Sequence, residues 1–189
     1  MSSKGRQKET LRSLSRQSLH DDDIESYHSE LLNASDRACA LVGAATVEHA
    51  LSIAIIANFV ELDEERENQL FWNPTSPLGS LSSKIQMAFA LGVYDGYFST
   101  MVSSVKDIRN VFAHALRPIN FQHPLVKTAC DKLPRTEHVL KSGAADPLTT
   151  ERRRYIATCI QLANVLKDYA EKRRVHGVKT RAYLIKQPR

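Results

Sequence analysis

An all-α fold, a single-domain bundle of about five or six main helices, is what the pattern of this sequence predicts. Three observations predict it. Apolar residues recur three and four apart in every long segment, no stretch shows a strand-like alternation of comparable strength, and the prolines from Pro74 to Pro147 fall between the periodic stretches or at the start of one. A chain of 189 residues, 42% hydrophobic and 25% charged, has enough apolar material for one domain with tails.

The elements follow in order. Residues 1–20 are rich in Ser, Lys and Arg without a sustained period, and are expected to form a disordered basic arm. The domain proper is expected over 21–174, with 175–189 a basic tail. Asp21 to Asp23 supply N-cap and first-turn carboxylates for a helix carrying Ile24, Tyr27, Leu31 and Leu32, either short or continuous with the next. From about Ser35 to Phe59 runs the longest apolar helix, with Leu41, Val42, Ala45, Leu51, Ile55 and Phe59 on more than one face. That distribution makes it the central helix, and Gly43, Ala44 and Ala45 allow a neighbour to approach closely.

Asp63 caps a short acidic helix reaching Trp72, and two prolines, Pro74 and Pro77, make the following segment a loop. Ser80 caps a helix that Gly92 ends. The next helix starts from about Asp95 and places Phe98, Met101, Val105, Ile108 and Phe112 on one stripe. Pro118 keeps the chain out of helix after His114. Pro124 opens a short helix through Leu133, and residues 134–147 are a polar connection. Thr149 or Thr150 caps a last long helix to about Arg174, striped by Tyr155, Ile156, Cys159, Leu162, Ala163, Leu166, Tyr169 and Ala170.

The formal net charge of +5 is unevenly placed: residues 1–20 carry +4 and residues 171–189 carry +6, which leaves −5 on the body. A basic face able to hold a duplex is therefore not evident in the body, and direct DNA binding, if present, depends on the tails. Cys39, Cys130 and Cys159 stand singly in apolar patterns, as buried thiols of a reducing compartment do. Residues 1–20 lack the apolar stretch of a secretory signal, and the run Ala50 to Val60 is too short to span a bilayer. A cytoplasmic protein without membrane contact is expected.

The functional interest lies at Arg109-Asn110-Val111-Phe112-Ala113-His114. Arg109, Asn110 and His114 are off the apolar stripe. Asn110 and His114 share a helical face, whereas Arg109 is about 140° from His114 on an ideal helix. Asp36-Arg37 and Glu48 interrupt the central helix. The dipole at a helix N-terminus accounts for Asp36, but Glu48 needs a partner if buried. The expectation is one polar cluster, for binding or structure, formed by Asp36, Arg37, Glu48, Arg109, Asn110 and His114 between these two helices. The remaining histidines show no metal-ligand spacing, and no cofactor motif is present, so neither metal nor cofactor is expected.

Several motifs in succession resemble those of the mannitol operon repressor family. They are Ser35-Asp36-Arg37-Ala38-Cys39-Ala40-Leu41-Val42-Gly43-Ala44-Ala45, Pro77-Leu78-Gly79-Ser80-Leu81-Ser82-Ser83-Lys84-Ile85, Ala90-Leu91-Gly92 and Ile108-Arg109-Asn110-Val111-Phe112-Ala113-His114. The resemblance covers roughly residues 30 to 133 and preserves the order of the motifs. It implies a helical, non-enzymatic regulator of sugar-alcohol uptake genes. The absence of a convincing helix-turn-helix, together with the acidic body, points to action through protein contacts, with a protein partner and a homodimer expected. Arg109-Asn110 followed by His114 also resembles the arginine, polar residue, histidine motif of the HEPN superfamily. In its catalytic members, which are metal-independent ribonucleases, that resemblance makes His114 the general acid or base and Arg109 the stabiliser of phosphate charge, with Asn110 positioning one of them. RNA is a ligand only under this alternative.

Overall fold

A computed structural model describes residues 24–73, 75–135 and 148–176, together with Leu14. The basic arm apart from Leu14, the far part of the C-terminal tail, the carboxylates Asp21 to Asp23 and most of the polar connection lie outside the described residues. The described residues form helices α1 (Ile24–Asn33), α2 (Asp36–Ile56), α3 (Glu64–Glu67), α4 (Leu81–Ala90), α5 (Gly96–His114), α6 (Pro124–Cys130) and α7 (Thr150–His176). A π-helical turn, Asn68–Trp72, follows α3 directly. The expected all-α bundle is what forms, with the helix count slightly above expectation because short α3 and α6 stand alongside the longer helices. No strand occurs among the described residues.

Helix α2 is the centre. Its buried residues run from Cys39 and Ala40 through Ala44, Val47 and Leu51 to Ile55, on faces that meet α4, α5 and α7. It is long and apolar enough to cross a membrane, but more than half of its most apolar window is buried inside the protein, as a core helix requires. The Ser35 side chain accepts from the Ala38 N–H and starts it.

Helices α2 and α7 run parallel, because early residues pair with early and late with late. The Tyr155 hydroxyl donates to the Ala40 carbonyl at 2.7 Å and the Tyr169 hydroxyl to Asn58 Oδ1 at 3.0 Å. Gly43 permits this closeness: a Cβ there would sit 3.2 Å from both Cys159 Sγ and Tyr155 Cε1. Phe112 of α5, Phe121 of the following loop and Tyr155 of α7 form a buried aromatic row with centroids 4.9 and 5.3 Å apart. Such tilted pairs add favourable ring electrostatics to the burial of their area. The loop after α5 is therefore anchored in the core through Phe121.

Asp63 and Ser80 act as the caps the sequence predicts, and Asp95 caps the helix expected to start near it. Asp63, Ser80 and Asp95 each accept a backbone N–H from the first turn of α3, α4 and α5. Gly92 has φ +66°, and the Val93 N–H reaches the Ala88 carbonyl at 2.9 Å, closing α4 with a left-handed cap. The acidic helix departs from expectation, since only four residues are α-helical before the π turn, marked by the Asn73 N–H on the Asn68 carbonyl at 3.1 Å. The wider turn buries Phe71 beside Phe59 and sets the Trp72 ring 5.1 Å from Lys84 Nζ. Helix α1 is separate from α2, and a hydrogen bond between the Tyr27 hydroxyl and Thr46 Oγ1 at 2.6 Å helps to hold it there.

Candidate functional site at the end of helix α5

Helix α5 buries Met101, Val102, Ser104, Val105, Ile108 and Phe112, so Arg109, Asn110 and His114 fall outside the core face. Arg109 and Asn110 are half-buried, and Arg109 Nη1 donates to Asn110 Oδ1 at 3.1 Å. Among the described residues this guanidinium has no carboxylate partner, and exposed His114 has no hydrogen-bond or ion-pair partner. Exposed Val111 lies on the outer face next to His114, and Leu116, just past the helix, is fully exposed. The helix end thus presents an accessible imidazole with apolar Val111 on the same face.

Arg37 joins this end of α5. Its Nη2 donates to the Ala115 carbonyl at 2.7 Å and reaches the Arg117 carbonyl at 3.4 Å. The cation thus meets the negative end of the α5 dipole and ties the start of α2 to the end of α5, which makes these helices antiparallel.

The other two expected members lie elsewhere. Asp36 accepts from Arg152 Nη1 and from the Phe121 N–H, both at 3.0 Å. Arg152, nearly buried, also donates to the carbonyls of Leu31, Leu32 and Ala34, closing the end of α1. Glu48 lies about 18 Å further along α2, at 1.5 Å per residue. Its Oε1 accepts from Lys84 Nζ at 2.7 Å, and Lys84 is 2% exposed under the Trp72 ring. The expected single polar cluster is therefore divided: Arg109 bonds Asn110, Arg37 holds the carbonyls just past His114, and Asp36 and Glu48 belong to two separate ion pairs. The physical reason is that each carboxylate finds a nearly buried cation on another helix.

Sequence reasoning missed both of those cations. The signal was present, because Lys84 falls on the stripe of Leu81, Ile85 and Ala88, and Arg152 falls on that of Tyr155, Ile156 and Cys159. A cation on an apolar stripe demands a buried partner. Arg154 repeats the pattern with Asp131 at 3.0 Å.

The titrating groups of the core are poor reagents. Burial pushes the Cys39 thiol up to about 11 and the Cys130 thiol up to about 12, and it raises Cys159 well above the usual thiol range. Burial, then the nearby Lys167 and Lys84, lowers the half-buried His49. Among the described residues no group of three His, Cys, Asp or Glu side chains could hold a metal ion. No family model, curated protein or solved structure matches this chain.

Proposed function

We propose that this chain is a cytoplasmic, non-enzymatic helical regulatory protein, dimeric and acting in transcriptional control through protein contacts, as the resemblance to the mannitol operon repressor family implies. The observation that supports it is the surface at the α5 end, where His114 stands next to exposed Val111 and just before exposed Leu116, and half-buried Arg109 has no carboxylate partner among the described residues. Cations with apolar neighbours suit an acidic protein face carrying a few apolar anchors. The experiment compares transcripts in cells lacking the protein with cells carrying Arg109→Ala, His114→Ala and Leu116→Ser together. The variant is expected to accumulate normally yet reproduce the transcript changes of the deletion. Wild-type regulation by that variant would contradict the proposal.

A second reading, a HEPN-like metal-independent ribonuclease, is favoured by an accessible imidazole on the same helix end as a guanidinium that has no carboxylate partner among the described residues. In this reading His114 takes or gives the proton at the ribose hydroxyl or leaving oxygen, Arg109 stabilises charge on phosphate, and Asn110 orients Arg109 through the bond between their side chains. Cleavage of RNA by the purified chain is then expected to persist with a chelator present and to vanish in His114→Ala. Cleavage that survives this substitution would rule the reading out.

A further inference from the structure

Helices α4 and α5 enclose a second feature, an open groove of about 240 Å³. We propose that this groove binds a nucleoside monophosphate, with the base against Phe89 and the phosphate at Lys106.

One wall carries Phe89, whose large ring is 53% exposed, above the buried Ile85. An aromatic face offered to solvent beside polar groups suits a flat base, since every base has a π-face to stack. The other wall carries Lys106, the cation of the groove. Between them lie Ser99, Ser103, Ser82 and the Gln86 amide. None of these four side chains makes a hydrogen bond among the described residues. Their neighbours on α5 behave differently: Thr100 and Ser104 donate to the carbonyls one turn back, at 3.0 Å each. The groove thus presents unused hydroxyl and amide groups where the ribose of such a ligand would lie.

Charge and size narrow the ligand to one phosphate. Lys106 has three N–H donors, and Asp107 holds it at 3.3 Å, leaving donors for a ligand while partly neutralising the charge. Asp107 itself does not line the groove. One partly neutralised cation suits a monophosphate better than a more highly charged chain. The volume lies below the roughly 300–1,000 Å³ of pockets for drug-sized ligands, which suits a single nucleotide resting against an open face. Lys106 precedes His114 by about 12 Å along α5, so this site does not depend on the function proposed for the helix end.

The test is a ¹⁵N NMR titration of the full chain with adenosine monophosphate, adenosine and inorganic phosphate separately. With the nucleotide, saturable shifts confined to residues 82–89 and 99–106 are expected, with a Kd below about 1 mM. Each fragment alone is expected to bind about tenfold more weakly or worse. Lys106→Gln is expected to weaken the nucleotide about tenfold and leave adenosine unchanged. Phe89→Ser is expected to weaken nucleotide and adenosine but not phosphate. Shifts that do not saturate by about 10 mM, that fall outside the groove, that are equal for phosphate and nucleotide, or that ignore both substitutions would overturn the proposal.

Discussion

Arg152 and Arg109 are both arginines half a turn or less from an apolar stripe, yet their surroundings give them opposite roles. Arg152 is spent on structure: it holds three carbonyls at the end of α1 and pairs with Asp36 at 3.0 Å. Its removal leaves Asp36 and those carbonyls without their cation, so Arg152→Ala should lower unfolding free energy by about 3 kcal/mol or more in urea titrations. Arg109 donates only to a neighbouring amide and should matter little to stability. The thiols give a pH prediction at the same scale. Between pH 9 and about 11 the unfolded chain has released protons that Cys39, with Cys130 higher still, retains in the folded state. The native state then binds more protons, so stability is present below the unfolded thiol pKa and falls as pH rises through this window. The urea midpoint should drop there, and Cys130→Ala should flatten the drop.

The helices were legible because their caps and stripes are local: Asp63 and Ser80 cap as the sequence predicts, and Ser35 and Asp95, expected only as approximate starts, are the caps of α2 and α5. The π turn was not legible, since it arises from fitting Phe71 and Trp72 against residues distant in sequence. Partner choice was equally hidden. Glu48 plainly needed a partner, but spacing along α2 could not show that Lys84 would supply it. Lys84→Met should cost about 2 kcal/mol, less than a fully buried pair because Glu48 is 27% exposed. Adding Glu48→Leu should restore much of that loss in a double-mutant cycle. Packing between α2 and α7 makes a sharper forecast. Gly43→Val should destabilise by about 1–3 kcal/mol because its side chain would press on Cys159 and Tyr155. Gly96→Ala, with open space around it, should be neutral or stabilise by about 0.5 kcal/mol in the same assay.

At the scale of the molecule, one apolar helix is surrounded by others, and nearly buried cations join the layers at two levels of α2. This arrangement leaves the α5 end as a surface, with Arg37 capping the helix and His114 open to solvent. The candidate site was half legible. The sequence located Arg109, Asn110 and His114 off the core stripe and Arg37 at the α2 end that meets the end of α5, but it also assigned them carboxylates that the fold uses elsewhere. The central claim is that this surface is available for function because the fold does not need it. The most direct test is urea unfolding of the combined Arg109→Ala, Asn110→Ala and His114→Ala variant. Its unfolding free energy should stay within about 1 kcal/mol of the wild type. A loss of about 3 kcal/mol or more would show that these residues hold the fold together, and would contradict the account.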